Sequence, residues 1–220
     1  MKLSLTLLTA MLVLGGCANT PNVYYTLTMQ DSAIDTTTPS PDRSGSLDFS
    51  GLGPYTLTSI VVPAPVNDSM LVVRRSDDVL MKLAHDRWTA PLEQQFGNAL
   101  SVALTRELGM PALSRAQAAV SEIPVTRMAI DVQQFDMVPG QYAALAVLWQ
   151  ITPAVTARAA TRTCYADFRQ SVTPGVAPLV RAQQHNINQL AKAMAQTWRT
   201  AMMPTAAPRQ IGLSTPARCQ

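Results

Sequence analysis

The sequence predicts a single α/β domain of the α+β type, an antiparallel or mixed sheet with two long helices packed on one face. Three observations carry this expectation. Leu92, Phe96, Leu100, Leu104 and Leu108 recur every four residues, and Val180, Gln184, Ile187, Leu190, Ala191, Met194 and Trp198 make a second stripe of helical period. Segments such as 55–62 and 125–135 have the β-branched, alternating character of strands. The order of strands followed by a long helix occurs twice.

Taken in order, the chain opens with Lys2 and an apolar run over residues 3–13 broken only by Ser4, Thr6 and Thr9. A run of about a dozen residues falls short of the ~20 that a spanning helix needs, so residues 1–16 read as a secretory signal that is removed. Leu14-Gly15-Gly16-Cys17 resembles the lipobox of bacterial lipoproteins. That resemblance implies that the Cys17 thiol carries diacylglycerol, that cleavage leaves it first in the mature chain, and that its amine is acylated, for example with palmitate. Each buried methylene contributes ~0.8 kcal/mol, so several acyl chains hold a protein on a membrane where one does not. Ala18 stands where aspartate would mark retention at the inner membrane, which implies the periplasmic face of the outer membrane. Residues 17–22 are then a lipidated tether.

Removing residues 1–16 from the 220 leaves 204, the size of one well-packed domain. Lys2 leaves with the signal, so 16 basic residues face 14 acidic ones, a net charge of +2 with no basic block. A nucleic-acid partner is unmotivated. Cys164 and Cys219 remain in a compartment that permits oxidation; they either pair or stay as two thiols, one of them buried.

The domain proper is expected over residues 23–203. Residues 23–29 read as a strand, and 30–54, rich in Thr, Ser, Pro, Asp and Gly, as a surface loop. Residues 55–62 are a second strand, and Pro63-Ala64-Pro65 marks a sheet edge, since proline cannot donate to a ladder. Residues 70–75 and 79–83 form a hairpin turned at Ser76-Asp77-Asp78. His85 to Pro91 open the first long helix, with Pro91 in its first turn, where a missing amide costs nothing. Gly109 and Pro111 end it. In 125–135, Met128, Ile130 and Val132 share one face and Arg127, Asp131 and Gln133 the other. A turn over 136–140 leads into 141–152, where Ala144, Ala146 and Leu148 are apolar as well as Leu145, Val147, Trp149 and Ile151. That strand is expected at the centre of the sheet, buried on both sides. Residues 162–169 are its antiparallel partner. Helix 179–202 follows, with its Gln, Asn and Lys residues mostly on the outer side, and 204–220 are tail.

Chemistry is hard to find in these residues. HExxH, metal-spaced cysteines, a phosphate-cradling glycine loop and GxSxG are all absent from the sequence. No catalytic residue, metal ligand or cofactor is expected. His85 with Asp86 reads as a polar helix start, with Asp86 near the positive end of the helix dipole, rather than as a base and its orienting carboxylate. His185 reads as solvated. Trp88, Trp149 and Trp198 are expected to pack separately, and Met128, Met194, Met202 and Met203 to fill core.

Four stretches nevertheless resemble the periplasmic ABC-type transport auxiliary lipoproteins, the PqiC or YmbA-like group. They are Tyr24-Tyr25-Thr26-Leu27; Asp86-Arg87-Trp88 with Pro91-Leu92; Phe135-Asp136 with Gly140 and 144–149, ending in Trp149; and the helix with Ala182-Gln183 and Leu190-Ala191. Their order covers nearly the whole mature chain; Pro65-Val66-Asn67 departs from the family's pattern. The resemblance implies a non-enzymatic α/β domain, with Tyr25, Leu27, Arg87, Trp88, Pro91, Leu92, Phe135, Gly140 and Trp149 as structural signature residues. It further implies an adaptor partnering an MCE-domain lipid-tunnel protein and its inner-membrane transporter, in a homo-oligomeric ring at the outer membrane. A lipid-carrying lipoprotein with its own cavity and an envelope hydrolase using His85 and Asp86 are the competing readings.

Overall fold

The computed structural model describes residues 20–29, 52–154, 160–202 and 217–220. The signal segment, Cys17, residues 30–51 of the loop expected over 30–54, Met203 and residues 204–216 of the expected tail lie outside the described residues. The strands are β1 (Val23–Tyr25), β2 (Tyr55–Val61), β3 (Met70–Ser76), β4 (Val79–Trp88), β5 (Thr126–Val138), β6 (Tyr142–Thr152), β7 (Arg162–Ser171) and β8 (Arg218–Cys219). The helices are α1 (Leu92–Leu108), the short α2 (Arg115–Ala119) and α3 (Val176–Met202). The α+β class with two long helices is as expected, but the strands divide between two sheets, β2-β5-β6-β7-β8 and β1-β4-β3.

In the larger sheet β2 runs parallel to β5, and β5, β6, β7 and β8 are successively antiparallel. The β5–β6 hairpin turns at Gly140, whose φ of 69° is the left-handed backbone that the turn requires. Met128, Ile130 and Val132 are buried, while Arg127, Asp131 and Gln133 are exposed, as the alternation demands. β2 lies at the sheet edge, consistent with the prolines that follow it. β6 is central, but Leu148 is 38% exposed, so the burial expected on both sides fails there. The reason is the cross-strand row Val61–Asp131–Leu148–Tyr165, an outward row that no described helix covers.

The correction with most consequence concerns the start of α1. His85, Asp86, Arg87 and Trp88 are strand, not helix, and the helix begins at Leu92 with Pro91 as its cap residue rather than inside its first turn. β4 persists because it is paired on both sides: Asp86, Arg87 and Trp88 oppose Val23, Tyr24 and Tyr25, and Arg87 also opposes Met70. Partners this distant in sequence leave no local signal. Pro91 has no side chain that can cap. Asn67 supplies the capping instead, accepting from the Glu93 amide at 3.1 Å and donating to the Glu93 carboxylate at 3.2 Å. Gly109, at φ 74°, closes the other end by donating to the Thr105 carbonyl.

α1 and α3 pack on each other and on the sheet. Trp198 and Tyr55, both fully buried, meet edge to face at 5.3 Å. Phe96, Leu100, Leu104, Leu190 and Met194 fill the layer between. The expected polar face of α3 is not wholly outside: Gln183 and Asn186 are fully buried. Gln183 donates to the carbonyls of Asp136 and Ala144 at 2.9 and 3.0 Å, and Asn186 donates to Gln183 at 3.2 Å. α3 therefore grips the β5–β6 hairpin through its backbone. Residues 217–220, expected as tail, extend the sheet, and a disulfide joins Cys164 to its cross-strand partner Cys219.

Burial pushes the Tyr55 hydroxyl up to about 12, against the opposing hydrogen bond with Thr105. The folded chain keeps this proton where the unfolded chain loses it. Its stabilising contribution is therefore complete below pH 10 and disappears as pH rises to 12. Wild type should lose about 2–3 kcal/mol more than Tyr55→Phe between pH 9 and 12 in urea melts. Parallel losses in the two proteins would refute this.

Candidate functional site: the seam that receives the tether

The chain after Cys17 reaches the domain through Thr20, Pro21 and Asn22, all exposed. β1 then adds in parallel to the last three residues of β4, and Thr89 donates to the Tyr25 carbonyl at 3.0 Å. The expected strand over 23–29 stops at Tyr25, because the next residues bond to side chains instead of a ladder. Gln95 on α1 accepts from the Thr26 hydroxyl and from the Leu27 amide, each at 3.1 Å. Its amide nitrogen donates to the Thr89 hydroxyl at 2.6 Å. Gln184 on α3 donates to the Thr26 carbonyl at 3.0 Å, and Arg106 on α1 to that of Met29 at 2.9 Å. Leu27 is 1% exposed. Residues 20–29 are thus fastened to both long helices and to the smaller sheet.

Beneath this seam Trp88 lies edge-on to Phe135 at 6.5 Å. The Tyr25 phenol is held above its usual value, by burial first and then by the hydrogen bond and charge of Asp86. Arg74 on β3 meets Asp136 on β5 at 2.8 Å and ties the two sheets together, with Gln134 donating to the other carboxylate oxygen at 2.6 Å. The hydrogen bond to Asp136, and then its charge, raise the Arg74 guanidinium above its ordinary value against the opposing effect of burial.

The structure therefore gathers Tyr25, Leu27, Trp88, Leu92 and Phe135 at or around one seam. Arg87 is in β4 opposite Tyr24, and Pro91 starts α1. Gly140 serves the hairpin turn beside Pro174, and Trp149 is buried opposite Cys164, away from the seam. His85 and Asp86 do not form an oriented pair, since neighbours in a strand project to opposite faces. Asp86 is engaged with Tyr25 instead, and it is not at a helix start. His185 is exposed, with Gln189 at 3.2 Å. Among the described residues no three His, Cys, Asp or Glu side chains converge as a metal site, and no helix is long and apolar enough to cross a membrane.

Gln95 escaped the sequence reading although it sits three residues after Leu92, on the buried stripe, where a glutamine needs a reason to be. Replacing it with alanine removes the acceptor for the buried Leu27 amide and should cost about 1–3 kcal/mol in a urea melt. It should also expose residues 20–29 to limited proteolysis. Wild-type digestion of that segment would count against the clamp.

A family model described as ABC-type transport auxiliary lipoprotein component matches residues 39–195. Among solved structures, one described as an uncharacterized protein superposes with a TM-score of 0.62 at 14% identity, covering 81% of this chain and 99% of that one. A Xanthomonas campestris protein of the DUF330 family superposes with a TM-score of 0.51 at 15% identity, covering 69% of this chain and 85% of that one. These two likenesses are of fold. A search of curated proteins gave no match.

Proposed function

Because this chain belongs to the ABC-type transport auxiliary lipoprotein components, we propose that it is a lipid-anchored, non-enzymatic adaptor of an MCE-type ABC transport system that moves lipid across the envelope. Family membership gives it a membrane-anchored place in the envelope and a transport system to serve. The finer reading has it fixed by Cys17 to the periplasmic face of the outer membrane. There it docks an MCE-domain lipid-tunnel protein whose transporter lies in the inner membrane, and does so as a homo-oligomeric ring.

The observation that supports this reading best is the seam. A diffusing enzyme has no use for a tether fastened by Gln95, Gln184 and Arg106 to two helices at once. A fixed adaptor does, because the orientation of its body relative to the membrane then follows from the anchor. The separation of His85 and Asp86 onto opposite strand faces also removes the residues that the hydrolase reading relied on.

Purification of the lipoprotein in mild detergent should bring down an MCE-domain protein, and deletion of its gene should weaken the outer-membrane barrier. Purification that repeatedly yields the lipoprotein without such a partner, together with an intact barrier in the deletion strain, sinks the proposal. Separation of the pure protein by mass in the same detergent reads the ring directly.

A further inference from the structure

Along β5, Arg127 stands eight residues before Phe135, which at ~3.3 Å per residue puts it about 25 Å from the seam. The loop after α2 and the ends of β2, β5 and β6 border an open hollow of about 380 Å³ there. Its walls include Thr58, Arg115, Ile123, Pro124, Arg127 and Thr152, and its lining residues contain two arginines and no Asp, Glu, Lys or His. Arg115 is held in place by donating to the Thr58 carbonyl at 2.6 Å. Arg127 is exposed and makes no side-chain hydrogen bond or ion pair among the described residues. Two guanidiniums thus face one hollow whose lining residues include no carboxylate; Glu122, between the lining residues Ser121 and Ile123, is exposed.

We propose that this hollow binds a phosphate anion, free or carried as the headgroup of an amphiphile. A guanidinium presents a planar fork of donors that matches phosphate oxygens, and such charge-assisted bonds are the strong ones. The volume falls within the ~300–1,000 Å³ typical of small-ligand sites, enough for a headgroup and its glycerol. Ile123 in the lining is 63% exposed, and Val120, next to the lining residues Ala119 and Ser121, is 80% exposed, so apolar side chains stand at the rim where an amphiphile's glycerol and chains would leave. The site stands apart from the adaptor reading, since it is tested on the purified protein with no partner present.

The mature lipoprotein in nonionic detergent is titrated by calorimetry with dihexanoyl phosphatidylglycerol and, separately, with inorganic phosphate. Saturable binding of either is expected. Arg127→Gln should weaken it about tenfold or more while leaving the melting temperature unchanged, because that side chain makes no hydrogen bond or ion pair among the described residues. Arg115→Gln should weaken it comparably, with the melt recorded alongside. Tighter binding of the lipid than of phosphate identifies a headgroup site, and equal binding a free-anion site; both support the proposal. Absence of binding by both probes, or binding indifferent to both substitutions, overturns it.

Discussion

Exported behind a conventional cleavable signal with Cys17 replaced by alanine, the chain should move from the membrane fraction to the soluble periplasmic fraction, essentially completely. At ~0.8 kcal/mol per buried methylene, acyl chains of membrane length supply the whole of the attachment that the adaptor reading needs, and the loss of all of them is the largest single change available. The melting temperature of the released protein should match that of the lipidated one. The reason is that the contacts described for the domain begin at β1 and the seam, beyond the exposed residues 20–22. The measurement is fractionation with a salt or carbonate wash, followed by blotting. Recovery of the unacylated protein in the washed membrane pellet would mean that the domain holds to the envelope by itself, and the role assigned to Cys17 would have to be given up.

The second large effect is expected at Trp88. It is 2% exposed, ends β4, donates its amide to Ser69 at 2.7 Å, stands opposite Tyr25 and packs edge-on to Phe135. Trp88→Ala removes a buried aromatic at the junction of both sheets with α1 and should cost about 3–5 kcal/mol. The damage should be local in a way that a generic core cavity is not. Proteolysis over residues 20–29 should rise before global unfolding, because β1 loses its support first. Trp88→Phe should recover most of the stability and the protection. A uniform rise in proteolysis across α1 and α3, with no early cleavage near β1, would show that Trp88 supports the core generally and not the seam.

The two long helices, the β5–β6 hairpin and the β7 pairing were legible because their signals are local: a four-residue apolar rhythm, strict alternation and a Pro-Gly turn. What could not be read was set by distant partners. His85 to Trp88 carry no strand pattern of their own and become strand only because Val23–Tyr25 pairs with one edge and Met70 with the other. The division into two sheets follows from that same pairing. Gln183 and Asn186 looked like a solvated face, yet Leu179, Gln183, Asn186 and Leu190 keep the four-three-four spacing of a buried stripe. Their amides are buried because β-hairpin carbonyls are there to receive them. The signature residues Tyr25, Leu27, Trp88 and Phe135 were picked out from resemblance alone. Their shared reason, a common seam, required the fold. Arg115 and Arg127 gave no signal, since they lie twelve positions apart, on a short helix and on the start of a strand with an irregular stretch over 120–125 between them.

On the proposed reading the chain is fixed to one membrane while engaging machinery that reaches toward another, so any relative movement of the two arrives as tension on the residues ahead of Val23. The way residues 20–29 are fastened decides where that tension goes. It is divided between the β1–β4 ladder and the bonds from Gln95, Gln184 and Arg106, so no single element is peeled away first. The seam would then act as a strain relief, passing a pull on the lipid into β4 and both long helices and sparing the sheet face and distal hollow at the other end of β5.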